Sequence, residues 1–173
     1  MAPARGDIYY IEIAKGEAIG HELEGGHWWV VISATELNAQ LGLFAAVPLT
    51  SVINKNTGKP KDESDFRYFR IRILNSAKKR DPGRTDKIFD AHSIAMPEQM
   101  RTFSIQRIVN QPRSGVMDDT ALGLGAIEAG ILFMLRAAIS RQPVSPPTTT
   151  AQVSVKRTLP VEPPKPVPGK PHK

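Results

Sequence analysis

A chain of 173 residues has room for one domain and an appendage, and with no cysteine it can hold neither a disulfide framework nor a thiolate metal site. Its net charge of +6 is unevenly placed: residues 143–173 carry five Lys/Arg against one Glu, whereas residues 1–142 carry 18 against 16. The body of the chain is therefore only mildly basic, and overall charge is weak support for nucleic-acid binding. The four histidines (His21, His27, His92, His172) have no metal-ligand spacing, and no metal or cofactor is expected. Met1 to Asp7 lack the apolar run of a signal peptide, so a cytoplasmic location is the expectation.

Taken in order, Asp7 to Ile13 predicts a first strand, with Ile8 and Tyr10 on one face and Tyr9, Ile11 and Ile13 on the other. Ala14 to Gly26 is a glycine-rich loop, followed by a second strand over Trp28 to Ser33. Ala34 to Gln40 fits a short helical turn and Leu43 to Pro48 a third strand. Phe66 to Ile73 interleaves Arg67, Arg70 and Arg72 with apolar residues and reads as a strand with one wet face. Asn75 to Asp86 reads as a loop, with short strands near Ser93–Met96 and Met100–Val109. Asp118 or Asp119 then caps a helix running Ala121 to Ile139, whose stripe is Leu124, Ile127, Ile131, Leu135 and Ala138. Glu128, Arg136 and three glycines argue for a packed or subunit-facing helix over a membrane span, which needs ~20 largely uncharged residues. Nine of the last 31 residues are proline. Such a composition cannot bury enough apolar surface to offset its ordering entropy, so 143–173 is expected to be a disordered, basic tail and 1–142 the domain. Short strands broken by turns and closed by one helix point to a small β-barrel.

One stretch concentrates titratable groups: Gly20-His21-Glu22-Leu23-Glu24-Gly25-Gly26-His27-Trp28-Trp29. A flexible turn with two histidines and two acids runs straight into a bulky strand. That arrangement holds functional side chains at the rim of a rigid sheet.

The same region carries a resemblance. Arg5-Gly6-Asp7-Ile8, Gly20-His21-Glu22, the Val30–Ser33 strand, Val47-Pro48-Leu49-Thr50-Ser51, and Glu98-Gln99-Met100-Arg101-Thr102 with Gln106-Arg107-Ile108 follow one another in an order that resembles the MazF/PemK/Kid toxins. No single block is specific; the ordered set, spread from about Arg5 to Arg141, is. The resemblance implies an SH3-like barrel with a C-terminal helix, paired as a homodimer. It implies a ribosome-independent endoribonuclease that cuts single-stranded RNA by 2′-OH attack without a metal, neutralised by a cognate antitoxin.

Metal-independent RNA cleavage needs a base for the 2′-OH proton, an acid for the departing 5′-oxygen, and donors or cations around the phosphorane. The resemblance places His21, Thr50 and Glu98 among the catalytic groups. Glu22, Ser51, Gln99 and Arg101 fall beside them as RNA-binding candidates, and Trp28 is the aromatic best placed to stack on a base. Trp29 is expected in the core. Two departures stand out. The family usually enters its second strand with Arg-Pro, whereas this chain has His27-Trp28, so His27 is expected to take over acid/base or phosphate duty. Met96 stands where the Kid branch carries an arginine proposed as general acid, which leaves that role to His21 or His27. Two other readings fit these residues: a barrel with weakened catalysis that binds RNA or protein, and a CcdB-like poison that targets a protein.

Overall fold

The computed structural model describes residues 2–18, 22–54, 57–61 and 70–140. The 143–173 stretch, His21, and the first half of the expected strand at 66–73 lie outside the described residues. Eight strands are seen: β1 (Asp7–Ile13), β2 (Gly25–Val31), β3 (Leu43–Ser51), β4 (Ile71–Ile73), β5 (Lys78–Arg80), β6 (Ser93–Ala95), β7 (Arg101–Ser104) and β8 (Gly115–Met117). Two α-helices accompany them, α1 (Thr35–Leu41) and α2 (Leu124–Ser140).

All pairings are antiparallel, in the order β4-β6-β3-β2-β1-β8-β5. β3 is the hub. One edge pairs with β2, and the other pairs with β7 over Leu43–Ala46 and with β6 over Leu49–Ser51. The two outermost strands, β4 and β5, are joined by only four residues, among them the 3-10 turn Asn75–Ala77. A connection that short brings the free edges together, and the sheet curls into a half-barrel.

Alternation along the strands gives the sheet two apolar faces. Ile8, Val30, Val47 and Leu49 pack inside against Ile73, Phe89, Met117, Leu124 and Ile127. Tyr9, Ile11, Trp29, Val31 and Phe44 pack on the other face with Phe103 and Ile108. Trp29 is fully buried, as expected, and stands edge-on to Phe103 with ring centroids 4.7 Å apart.

The Arg5-Gly6-Asp7 block is architectural. Gly6 takes a φ of +90°, and a Cβ there would lie 2.8 Å from the Met117 carbonyl oxygen. Arg5 donates to the Ile32 carbonyl and ion-pairs with Glu128 (2.5 Å) and Asp119 (3.2 Å), tying the chain start to α2. Buried Asp7 accepts from the Ala4 N–H (2.7 Å), the Tyr9 hydroxyl (3.2 Å) and Arg113 (3.0 Å).

Several expected boundaries move. β2 begins at Gly25, because Gly25 and Gly26 pair with Ile13 and Glu12 instead of ending the ladder. The 75–86 loop contains β5, which pairs with the unforeseen β8. Helix α2 starts at Leu124, three residues after the expected Ala121. Asp118 accepts from Thr120 within the preceding turn, and its carbonyl receives the Leu124 N–H, so it closes that turn instead of capping the helix. Only the first part of the expected stripe packs inward: Leu124 and Ile127 are buried and Ile131 is partly buried against the core, whereas Leu135 is exposed, as are the neighbouring Leu132, Phe133 and Ile139. Among the described residues no helix is long and apolar enough to cross a membrane.

Candidate active site

The mouth of the β1–β2 hairpin builds one wall of a cleft of 410 Å³. Tyr10 on β1 lies diagonally over Gly26 on β2 and edge-on to Trp28, with ring centroids 4.9 Å apart. His27 stands between Gly26 and Trp28 on the same strand. The end of β3 supplies Thr50 and Ser51, and the segment from Lys87 to Ser93 forms the opposite wall. Of the sequence-predicted residues, the cleft thus gathers His27, Trp28, Thr50 and Ser51.

The hydroxyl of Thr50 accepts a hydrogen bond from Lys61 Nζ at 3.3 Å, which places an ammonium beside it and leaves its own O–H to donate elsewhere. Ser51 Oγ accepts from the Ile53 N–H at 3.0 Å.

The ring of His27 is held by the Glu24 carbonyl, 2.9 Å from Nε2. A carbonyl only accepts, so Nε2 carries the proton and a lone pair remains on Nδ1. His27 therefore keeps one ring nitrogen as an acceptor, with the ring oriented by that backbone contact.

The opposite wall is pinned from behind by Lys78, only 7 % exposed. Its ammonium donates to the Ile88 carbonyl, the Ala91 carbonyl (2.8 Å) and Ser93 Oγ (2.6 Å), and these three residues all line the cleft. Burial lowers its pKa from 10.5 to about 8, against a smaller opposing pull from Asp90.

The remaining candidates are not among the residues that line this cleft. Glu98 lies on the 3-10 turn Pro97–Gln99 with Gln99, and its carboxylate is engaged by Arg70 Nε at 2.9 Å. Its second oxygen is buried without a hydrogen-bond partner among the described residues. Arg101 on β7 faces Glu22 at 3.7 Å. Neither Glu98, Gln99, Arg101 nor Glu22 lines the cleft. The Pro97 turn sets the Glu98 carboxylate against Arg70. The Kid-branch arginine position, Met96, is buried. Tyr9 is core; burial and neighbouring Asp7 raise its pKa, and its hydroxyl is committed to that carboxylate.

A second cleft, of 620 Å³, adjoins the first and shares Ile53, Ala91 and His92 with it. Lys61, Arg70 and Arg72 give it cationic character. Sequence reasoning missed His92, Lys61, Lys87 and Lys78. Nothing in their local sequence marks them; they meet only because β5, β6 and the 87–92 segment converge on the end of β3.

Residues 4–122 match the family described as the PemK-like, MazF-like toxin of type II toxin–antitoxin systems. No curated relative matches the chain. Among solved structures, MazF (form I) from Deinococcus radiodurans is similar with a TM-score of 0.52 at 16 % identity, over 79 % of this chain and 98 % of that one. An endoribonuclease in complex with its cognate antitoxin, from a mycobacterial species, aligns with a TM-score of 0.47 at 15 % identity, over 78 % and 96 %. At 16 % identity the likeness to the Deinococcus MazF speaks to the fold alone. The family match is what places the sequence, and because it spans more than half of the protein, this chain belongs to the PemK-like, MazF-like toxins of type II toxin–antitoxin systems.

Proposed function

We propose that this chain is a toxin endoribonuclease that cuts single-stranded RNA by 2′-OH attack, leaving a 2′,3′-cyclic phosphate and a 5′-OH end. Residues 1–142 carry the activity. The observation that supports this most is that His27, Thr50 and Ser51 line one cleft together with Tyr10 and Trp28. His27 takes the proton of the 2′-OH as the O2′–P bond forms, and its Nε2–H···O=C contact to Glu24 steadies the resulting imidazolium. Thr50, with Lys61 beside it, donates to a phosphate oxygen and stabilises the charge that gathers there. As the P–O5′ bond breaks, the departing oxygen takes a proton from water or from His21, the residue the resemblance offers. Trp28 and Tyr10 stack on an unpaired base, which favours single strands. Glu98 acts through Arg70, which it holds at the adjoining cleft, and Arg101 and Gln99 stay as RNA-binding candidates that the resemblance offers.

The partner expected of such a toxin is its antitoxin. An acidic peptide laid along the two clefts would meet Lys61, Arg72 and Lys87 and exclude RNA. Homodimerisation is proposed through the exposed apolar residues of α2.

Mixed-sequence RNA incubated with the protein in excess EDTA, followed by end mapping, tests the activity. Discrete cuts with cyclic-phosphate termini, absent from a substrate carrying a 2′-deoxy nucleotide at the cut site, are the expected result. Intact RNA that is bound but never cut would replace this reading with that of a non-catalytic binding module.

A further inference from the structure

His92 stands where the two clefts meet and lines both. Its Nδ1 accepts the backbone N–H of Asn75 at 3.1 Å. A backbone N–H can only donate, so Nδ1 must present its lone pair, and the ring proton of the neutral imidazole sits on Nε2. This is the mirror image of His27, whose Nε2 carries the proton and whose Nδ1 is bare. The cleft is therefore lined by one histidine fixed by a backbone group with a ring acceptor to spare and another fixed with a ring donor to spare.

The tautomer restricts what His92 can do. Giving up its Nε2 proton would leave an imidazolate, so it is unsuited to proton delivery; protonation at Nδ1 would set two N–H groups against each other. What remains is a hydrogen-bond donor that needs no reorganisation as charge develops nearby. The wall carrying it is held from behind by Lys78 through Ala91 and Ser93, the residues on either side.

We propose that His92 is a catalytic residue whose Nε2–H donates a hydrogen bond to a non-bridging oxygen of the scissile phosphate, strengthening as the phosphorane forms. The inference rests on the ribonuclease reading above. No proton is transferred to or from His92: the O2′–P bond forms and the P–O5′ bond breaks while the ring keeps its Nε2 proton throughout. The adjoining cleft, with Arg72 and Lys61, then receives the next stretch of the strand.

Two substitutions separate the donor from the structural contact. His92→Asn can keep an oxygen on the Asn75 N–H but has no donor at the Nε2 position. His92→Gln reaches the Nε2 position with an N–H but gives up the Asn75 contact. Single-turnover and steady-state cleavage of one RNA oligonucleotide is measured for parent, both variants and His92→Ala, with thermal melting alongside. Losing one such donor costs about 100-fold in kcat. The expected result is that fall in kcat for His92→Asn and His92→Ala with KM little changed, and substantial rescue in His92→Gln. A parent that cleaves, with His92→Asn or His92→Ala cleaving as fast, overturns this inference and leaves the ribonuclease reading standing. So does a loss of activity that follows the melting temperature instead of the donor. A parent that cuts no RNA overturns the ribonuclease reading itself, and this inference with it.

Discussion

The phenol of Tyr10 fills the space that a side chain at position 26 would need: a Cβ on Gly26 would lie 1.8 Å from the Tyr10 hydroxyl oxygen. A glycine read in the sequence as loop flexibility is therefore a contact surface within a strand, and it lets Tyr10 reach Trp28. Tyr10 is 45 % exposed, so the ring has somewhere to go. Gly26→Ala should accordingly displace Tyr10 and cost about 1 kcal/mol, the size of one aromatic pair, without unfolding the sheet. Near-ultraviolet circular dichroism and RNA affinity should both fall. In a Tyr10→Ala background the same substitution should have almost no effect, and an undiminished penalty there would contradict the packing described.

The Asp7–Arg113 pair predicts a loss of stability without a loss of chemistry. Asp7 is 4 % exposed and accepts three hydrogen bonds, while Arg113 also grips Asp81 with two nitrogens. Asp7→Ala leaves the Tyr9 hydroxyl and the Ala4 N–H without their acceptor. Because Arg113 is partly solvated, the cost should be about 2–3 kcal/mol, below that of breaking a fully buried pair. Urea denaturation measures it; cleavage per folded molecule should be unchanged.

Lys78 predicts a pH dependence of stability. Its ammonium releases a proton at 10.5 in the unfolded chain and at about 8 in the folded protein. Between these values the unfolded chain binds more protons, so stability rises with pH across that window. Below pH 8 the group is charged in both states and its burial penalty is fully present. Lys78→Met should remove this rise while leaving the Ile88 and Ala91 carbonyls and Ser93 Oγ without a donor. Urea midpoints of parent and variant, taken from pH 7.5 to 10.5, should differ most at the alkaline end. Parallel curves would refute the assignment.

Helix α2 predicts the assembly. Leu132 and Ile139 are exposed, the latter by 73 %, although both lie on a helix whose first turns are core. Converting both to glutamate should leave the barrel intact and shift sedimentation from dimer toward monomer. A parent that sediments as a monomer at tens of micromolar would remove the proposed pairing.

How much of this was legible in the sequence follows from how local each signal is. β1 is a seven-residue alternation of apolar side chains, and its bounds came out as expected. β5 is Lys-Lys-Arg, a triplet with no apolar period, and it is a strand only because β8 pairs with it. Helix α2 was plain, but its start was not. Asp118 has the chemistry of a cap, and the turn containing Gly123 diverts it: a Cβ on Gly123 would meet Asp118 Oδ1 at 2.1 Å. In the cleft, His27, Trp28, Thr50 and Ser51 were found from motif blocks that lie on paired strands. His92 was passed over as a histidine without metal spacing, since its value comes from the backbone of Asn75, 17 residues away. Glu98 comes from a block that matched, and what its sequence could not show is its partner: the turn at Pro97 sets its carboxylate against Arg70.

The account turns on His27 as the group that takes the 2′-OH proton. The direct measurement is kcat of His27→Ala on an RNA oligonucleotide cut by the parent, with melting temperature as the control for folding. A fall of roughly 10²–10⁴-fold at unchanged melting temperature is predicted, the usual contribution of a positioned base. Cleavage at the parental rate would show that the proton leaves by another route and would contradict the account.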